Sequence, residues 1–316
     1  MVKKKKKRIL VVLGGTSRER EISIKTGKAC IKALKALKYK VKIFDPKKNN
    51  FGEINKSQVD IIFNALHGRD GEDGNAQSYF EYLRIPYTHS GVISSINAMD
   101  KSISKKIFKE KKILTPNYVV LNFNQNTKIS LNFIIKKNKF KYPIVVKPIN
   151  EGSSIGVRIC NNFSHLNREI YKLKKAYNQL IIEEFIGGQE IQVAVINDKP
   201  IGAIELRPSR KFYDYKAKYY KSAKTAHIMP ANLSKKKYKE VLLIAKKTHR
   251  FFNCRGISRS DFKFYKNKFY LLEINTQPGM TSLSLVPEIA KYYGISFNNL
   301  VSKILKDAGI NKWTHT

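Results

Sequence analysis

The sequence predicts an α/β protein whose C-terminal part is α+β, and three observations lead to that class. Strand-like and helix-like segments alternate from residue 8 to about residue 100, which is typical of a parallel sheet covered by helices. Segments 191–196 and 201–206 alternate apolar and polar residues across a turn at 197–200, as antiparallel strands do. Segment 259–275 has the pattern of a β-hairpin. With 316 residues and 42% hydrophobic content, the chain is long enough for two or three globular domains.

The N-terminal segments predict a small, doubly wound domain with a parallel sheet. A buried strand at 8–13 runs into two glycines, and a helix of about twenty residues is expected to follow. Thr16 and Glu19 have the spacing of a capping box at the start of that helix. Further strands are predicted at 41–45 and 61–63. Neither a G-x-G-x-x-G nor a P-loop motif accompanies them, which argues against those two modes of nucleotide binding.

The middle of the chain suggests an anion site. A basic helix at 101–112 precedes a buried strand at 144–147, which ends in Lys147. A lysine directly after three apolar residues needs an anionic partner or a route to water. The loop 151–156 follows, and its small residues allow backbone N–H groups to approach phosphate oxygens. Strands are predicted on either side of the next segment, at about 157–160 and at 181–185, and the chain ends in a helix near residues 300–308.

The predicted hairpin places polar side chains on one face between apolar neighbours. With Lys266–Lys268 as the turn and Asn267 at its apex, Asp261 lies opposite Glu273 and Arg259 lies opposite Asn275. Two carboxylates and an amide oxygen suit Mg²⁺, which prefers oxygen ligands and usually completes its shell with phosphates. A solvated hairpin edge with a salt bridge is the alternative interpretation.

The amino-acid composition limits the kinds of partner that the protein is expected to bind. The net charge of +37 comes from 49 lysines and 12 arginines, and the lysines are scattered over every segment rather than gathered in one domain. We interpret this charge as belonging mostly to solvated surfaces, and expect neither a nucleic-acid nor a membrane partner. Three dispersed cysteines favour neither a disulfide framework nor a zinc site and suit a cytoplasmic protein.

Eight short motifs follow one another along the chain. They are GGTSRERE (14–21), LHGRDGEDG (66–74), MDK (99–101), KP (147–148), EGSSIG (151–156), FYDYKAKY (212–219), EIN (273–275) and PGMTSLSLVP (278–287). Through them the chain, from Gly14 to about Leu305, resembles the D-alanine–D-alanine ligases of the ATP-grasp superfamily. The resemblance implies an ATP-grasp fold with three domains, which are an N-terminal substrate-binding domain (1–99), a central domain (100–185) and a C-terminal domain with the metal site (186–316).

The resemblance also implies residue roles. Glu19, Ser153, Tyr219, Arg259, Gly279 and Ser284 should be catalytic, with Glu19, His67 and Ser284 contacting the substrate. ATP should be bound by Lys101, Lys147, Glu183, Glu184, Ile186, Glu190 and Lys218. Asp261, Glu273 and Asn275 should hold two Mg²⁺ or Mn²⁺ ions, in agreement with the hairpin pairing. The implied reaction joins two D-alanine molecules through a D-alanyl phosphate to supply peptidoglycan synthesis, and family members are commonly homodimers.

Several alternatives stay open at this point. Glu19 could simply cap its helix, and His67 could be a surface-loop histidine. A related ligase could use D-lactate or D-serine as its second substrate, although tyrosine at position 219 goes with D-alanine in the family rather than with D-lactate. A nucleic-acid-binding protein on a degenerate ligase scaffold has only the charge in its favour, because a binder needs no metal ligands.

Overall fold

The computed structural model describes residues 7–123, 130–208 and 225–311, and three β-sheets carry the architecture. The strands are β1 (Arg8–Val12), β2 (Lys40–Phe44), β3 (Ile61–Asn64), β4 (Tyr118–Asn122), β5 (Ile144–Pro148), β6 (Arg158–Cys160), β7 (Gln179–Glu184), β8 (Gln189–Ile196), β9 (Lys199–Arg207), β10 (Ala226–Ile228), β11 (Ile257–Tyr265) and β12 (Lys268–Asn275). The helices are α1 (Arg20–Ala36), α2 (Asn75–Tyr82), α3 (Val92–Met99), α4 (Lys101–Glu110), α5 (Leu131–Lys137), α6 (Phe163–Leu173), α7 (Lys235–Phe251), α8 (Leu285–Tyr292) and α9 (Phe297–Lys306). Two short 3-10 turns lie at Phe51–Glu53 and Lys56–Gln58.

The N-terminal sheet is parallel, in the order β2-β1-β3, and both of its faces are covered, as the sequence predicted. Side chains alternate along β1, so Ile9 and Val11 pack with α1 and α9 while Leu10 and Val12 pack with α2 on the opposite face. The C-terminal helix α9 therefore returns to cover the first strand of the chain.

The capping prediction at the start of α1 was wrong. The helix begins at Arg20, and Glu19 itself occupies the N-cap position without capping any backbone N–H with its side chain. Thr16 Oγ1 instead lies 3.4 Å from Asp70 Oδ2. The side chain of Glu19 is consequently available to a neighbouring cleft.

The central and C-terminal sheets are antiparallel. The central sheet has the order β4-β7-β5-β6 and packs its core against α6. The C-terminal sheet has the order β10-β9-β8-β11-β12, and α7 packs on one face of it. Ala98 of α3 and Phe108 of α4 are buried in that same core, so this helix pair joins the N-terminal sheet to the C-terminal one.

The hairpin of β11 and β12 has the predicted cross-strand pairs, with Arg259 opposite Asn275 and Asp261 opposite Glu273. The predicted turn was one residue too long. Only Lys266 and Asn267 form the turn, because Lys268 already pairs with Tyr265. Both turn residues have positive φ.

A bulge restores the predicted register. Phe262 pairs with Leu271 while Asp261 pairs with Glu273, which leaves Leu272 as the extra residue of β12. Beyond this point β12 keeps Glu273 and Asn275 on the face of Asp261. Among the described residues, no helix is both long and apolar enough to cross a membrane.

Candidate active site

Two adjoining cavities lie between the three sheets. The first, which we call the acceptor cavity, is lined by the predicted substrate residues Glu19, His67 and Ser284. The predicted catalytic residues Ser153, Arg259 and Gly279 and the predicted metal ligand Asn275 line it as well. The second, the nucleotide cavity, is lined by Lys147, Glu183, Glu184, Ile186, Glu190 and Asp261. Both cavities share Lys101, Glu151 and Glu273 as wall residues, so a group bound in one lies beside a group bound in the other. Each encloses about 900 Å³ of space with its open mouth included.

Glu19 and the loop 151–156 meet across the acceptor cavity. Ser153 Oγ donates a short hydrogen bond to Glu19 Oε1, although 134 residues separate the two. Ser153 and Ser154 both have positive φ, an uncommon conformation for residues with a side chain and one that often marks functional loops. Glu19 is 6% exposed, and a buried carboxylate in this position suits a bound ammonium group.

His67 is a buried site residue rather than a surface-loop histidine. Its Nδ1 lies 2.8 Å from Glu72 Oε1 and its Nε2 lies 3.0 Å from Thr26 Oγ1. Glu72 fixes the ring from one side and α1 fixes it from the other, so the imidazole edge faces the cavity in a single orientation.

Gly279 and Ser284 lie where α8 begins. Ser284 is the N-cap residue of α8, and its Oγ accepts a hydrogen bond of 3.0 Å from the backbone N–H of Thr281. A Cβ atom on Gly279 would lie only 2.8 Å from Ser284 Oγ, so glycine is what allows the two residues to approach. The start of a helix that faces a cavity, with a hydroxyl beside it, favours a carboxylate.

The hairpin supplies an arginine and three side chains with oxygen atoms that could coordinate a metal ion. Arg259 binds Asp261 through two hydrogen bonds, 2.7 Å from Nε to Oδ1 and 2.9 Å from Nη2 to Oδ2. Asn275 Oδ1 accepts from the backbone N–H of Gln277 at 2.8 Å, and Glu273 Oε2 lies 3.9 Å from Lys101 Nζ.

These ligands fit Mg²⁺ or Mn²⁺ only in combination with phosphates. Asp261 and Glu273 are cross-strand neighbours and Asn275 adds an amide oxygen, a set of hard donors on one face. Within the described ranges no group of three or more His, Cys, Asp or Glu side chains is arranged to hold a metal ion. The protein therefore offers a partial coordination shell that a nucleotide would complete.

A buried cluster of charges lies at the base of the nucleotide cavity. Lys147 Nζ donates to Glu183 Oε1 at 2.5 Å, and Lys105 Nζ lies 3.0 Å from Glu183 Oε2. Burial alone would raise the pKa of Glu183, but the two ammonium groups outweigh it and lower the pKa to about 2. Lys147 thus has the anionic partner that its sequence context required.

The remaining predicted nucleotide residues line the same cavity. Lys101 Nζ donates to the carbonyl oxygen of Glu151 at 2.6 Å, which ties α4 to the loop 151–156. Glu190 Oε2 accepts from Lys263 Nζ at 3.0 Å, Ile186 is buried, and the Glu184 side chain is exposed. Lys218 and Tyr219 lie outside the described residues, so their assigned roles stay predictions.

Sequence reasoning missed Lys105, Glu72 and Gln192. Lys105 falls one helical turn after Lys101, so a helical projection of 101–112 could have placed it on the buried face. Glu72 belongs to the LHGRDGEDG motif, but its contact with His67 needs the fold of that loop. Gln192 is 1% exposed on β8 and lines the acceptor cavity, and the alternating pattern of the strand gave no reason to single it out.

Comparisons with known proteins identify the family of this chain. The family model described as D-ala D-ala ligase C-terminus matches residues 107–306, and the model described as D-ala D-ala ligase N-terminus matches residues 44–90. The D-alanine–D-alanine ligase of Pelagibacter ubique is 56% identical over 306 residues, which cover 97% of this chain and 99% of that protein. The enzyme of the same name from the Wolbachia of Brugia malayi is 45% identical over 324 residues, with 95% of this chain and 92% of that protein covered.

Solved structures show the same similarity. The crystal structure of D-alanine–D-alanine ligase from Bacillus anthracis complexed with ATP has a TM-score of 0.83 and 29% identity, covering 95% of this chain and 97% of that one. A second structure of the Bacillus anthracis ligase has a TM-score of 0.84 and 32% identity, with the same coverage of both chains.

Proposed function

Since the chain belongs to the D-alanine–D-alanine ligase family, we propose that it joins two D-alanine molecules at the expense of ATP and supplies the dipeptide for peptidoglycan synthesis. The observation that carries the proposal is the shared wall of the two cavities. A carboxylate in the acceptor cavity lies beside the phosphate end of a nucleotide in the other, next to Lys101 and Glu273. Phosphoryl transfer needs chiefly this positioning and the neutralisation of charge.

The first step forms a D-alanyl phosphate. Glu19, oriented by Ser153, holds the ammonium group of the first D-alanine, and the carboxylate of that molecule attacks the γ-phosphorus of ATP as ADP leaves. Lys101 and Lys147 hold the phosphates and the adenine side of the nucleotide, and the family resemblance assigns Lys218 to the phosphates as well. Asp261, Glu273 and Asn275 would hold Mg²⁺ ions, which neutralise developing phosphate charge when bound.

The second step forms the amide bond. The amine of the second D-alanine attacks the carbonyl carbon, and phosphate leaves with the bonding electron pair. Arg259 and the backbone N–H of Gly279 stabilise the oxyanion of the tetrahedral intermediate. Ser284 and the start of α8 bind the second carboxylate, while His67 lies on the other side of the cavity and helps to neutralise substrate carboxylate.

Further parts of the proposal concern the whole chain. The divisions 1–99, 100–185 and 186–316 are proposed as domains, each containing one of the three sheets. A homodimer is proposed from family membership, with light scattering of the purified protein as its test. Three free cysteines support a reducing cytoplasm as the place of action.

Phosphate release from ATP tests the function directly. The reaction is run with ATP and Mg²⁺ in three tubes, which contain D-alanine, L-alanine or no amino acid. Release that requires D-alanine, together with D-alanyl-D-alanine detected by mass spectrometry, is the expected result. Equal release in all three tubes, or no release, would contradict it. A further tube with D-serine beside D-alanine tests whether the second site accepts an added hydroxyl.

A further inference from the structure

Lys105 is a lysine that has no access to solvent and does not line either cavity. Its side chain is 0% exposed, and it comes from the buried face of α4 behind the base of the nucleotide cavity. Nζ lies 3.0 Å from Glu183 Oε2 and donates to Thr115 Oγ1 at 2.8 Å. Thr115 in turn donates to the carbonyl oxygen of Leu271 at 2.8 Å, so the ammonium group is held in one place.

Two lysines contact the Glu183 carboxylate, but only one of them lines the nucleotide cavity. Lys147 donates a hydrogen bond to Oε1 and lines the nucleotide cavity. Lys105 forms an ion pair with Oε2 and does not line that cavity. Lys147 is therefore the lysine that can turn toward a bound phosphate. When it does so, Glu183 would be a buried carboxylate with no cation beside it, a costly state, unless Lys105 stays in place.

The cavity beside this cluster suits a planar base. Apolar side chains form its walls, and they belong to Val145, Ile155, Val157, Ile186 and Leu272. The ionised carboxylate of Glu183 is a polar group at its base that only accepts hydrogen bonds. Such an acceptor attracts an exocyclic amino group on a purine and repels a carbonyl oxygen in the same position.

We propose that Lys105 is a positioning residue that keeps Glu183 ionised and fixed while Lys147 turns to the nucleotide, and that it thereby sets the preference for a 6-amino over a 6-oxo purine. The inference rests on the proposed function, because it requires the second cavity to bind ATP. Burial lowers the pKa of Lys105 to about 8, against the opposing effect of Glu183.

The test compares ATP with ITP, whose base carries oxygen in place of the 6-amino group. Dissociation constants are measured by calorimetry for wild type, Lys105→Met and Lys109→Met, and KM is measured for both nucleotides. Lys109 is a matched control, because it lies one turn later on α4 and is exposed. Its Nζ lies 4.3 Å from the centre of the Tyr118 ring, and Lys105 Nζ lies 5.5 Å from the centre of the same ring. We expect Lys105→Met to weaken ATP binding by about tenfold or more while ITP binding changes by less than about threefold. Lys109→Met should behave as wild type.

A double variant separates positioning from packing. In Lys105→Met/Glu183→Gln the neutral amide needs no counter-ion and still presents an acceptor, so ATP affinity should recover relative to Lys105→Met alone. If Lys105→Met does not fold, Lys105→Gln removes the charge but keeps a donor for Thr115, and the same loss of ATP preference is expected. An unchanged ratio of ATP to ITP affinity in the folded variant, or equal weakening of both nucleotides that the double variant does not repair, would overturn the inference. Failure of the wild type to bind ATP would instead overturn the proposed function.

Discussion

The Glu19 carboxylate lies between two glycines, whose hydrogen atoms leave room for it. A Cβ atom built on Gly68 would lie 2.6 Å from Glu19 Oε2, and one built on Gly152 would lie 3.0 Å from the same atom. Gly68 also has a φ of +70°, which residues with a side chain rarely adopt. The LHGRDGEDG motif and the EGSSIG loop therefore have a common steric reason for their glycines, namely access to one carboxylate.

Gly279 gives a prediction about the second carboxylate site. In Gly279→Ala the new methyl group would lie 2.8 Å from Ser284 Oγ and force the hydroxyl to move. Small displacements of this kind are costly in catalysis, so we expect kcat/KM for D-alanine to fall by about ten- to a hundredfold while the melting temperature changes little. Steady-state kinetics with varied D-alanine would measure it.

The matched control for this substitution is Gly52→Ala. A Cβ there meets Asn50 Oδ1 at 3.4 Å, an ordinary contact, and Gly52 lines neither cavity. This variant should keep wild-type kinetics. Wild-type kinetics in Gly279→Ala as well would show that the proximity of Gly279 to Ser284 has no role in the reaction.

Asp45 gives a prediction about pH. Hydrogen bonds from Arg20 lower the pKa of Asp45 to about 2, against the opposing effect of burial. Because the folded-state pKa is below the unfolded one, this stabilisation is fully present above about pH 4 and is lost as the pH falls through about 2. Asp45→Asn should lower the free energy of unfolding by roughly 1 kcal/mol at pH 7, the upper end of the range for ion pairs near a protein surface.

Urea unfolding at several pH values would check the sign of this effect. The difference between wild type and Asp45→Asn should be constant from pH 7 to about pH 4.5 and shrink below that. A difference that grows on acidification would contradict the assignment of the lowered pKa to Asp45.

At the scale of the element, the hairpin of β11 and β12 places Asp261 opposite Glu273 by combining a tight turn with a bulge. A two-residue turn alone would set Asp261 opposite Leu272 and would turn Glu273 toward the core. The bulge at Leu272 adds one residue, and Glu273 becomes the partner of Asp261. The predicted pairs were right because two differences from the prediction cancel. The turn is one residue shorter than predicted, and the bulge adds one residue to β12.

The turn itself gives a prediction about stability. Lys266 and Asn267 have φ values of 45° and 62°, the left-handed conformations of a type I′ turn, in which asparagine followed by glycine is the preferred pair. Lys266→Asn combined with Asn267→Gly should therefore raise the free energy of unfolding by about 0.5–1 kcal/mol. Chemical denaturation would measure the change. The same lysine-to-asparagine change at Lys268, the first residue of β12, which pairs with Tyr265 of β11, should be neutral or destabilising. A gain in stability there would argue against this explanation.

Sequence patterns predicted those parts of the fold that depend on local periodicity. The parallel N-terminal sheet, the antiparallel pairing of β8 and β9 and the cross-strand pairs of the hairpin were all confirmed. Residues whose surroundings come from distant segments of the chain were harder to predict. The capping spacing of Glu19 was misleading, because its side chain pairs with Ser153 across 134 positions. Lys105 looked like one more surface lysine because the carboxylate that justifies its burial is 78 positions away, at Glu183.

At the scale of the whole molecule, the site exists only where three sheets meet. Gln277, just after β12, accepts from Asn64 Nδ2 of β3 at 2.9 Å, which ties the C-terminal sheet to the N-terminal one. Ser153 ties the central loop to the N-terminal part through Glu19, and Lys101 Nζ lies 3.9 Å from Glu273 Oε2 of the C-terminal sheet. Long-range polar contacts thus connect the sheets at the cleft that the proposed reaction uses.

The charge of the whole chain gives the last prediction. A net charge of +37 means that lysines on neighbouring surfaces repel one another in the compact state. Raising the ionic strength from about 0.01 M to about 0.1 M shortens the Debye length from about 30 Å to about 10 Å and screens most of this repulsion. The melting temperature should therefore rise by several degrees with added sodium chloride, as scanning calorimetry would show.

A variant with less charge separates this screening from specific ion binding. Lys235, Lys236 and Lys239 are exposed on α7, and changing all three to glutamate lowers the repulsion without touching either cavity. This variant should melt at a higher temperature in dilute buffer and gain less from salt than the wild type. If salt lowered the melting temperature of both proteins, favourable ion pairs such as Arg20–Asp45 would outweigh the repulsion. In that case the lysine-rich surface would not be a cost to stability.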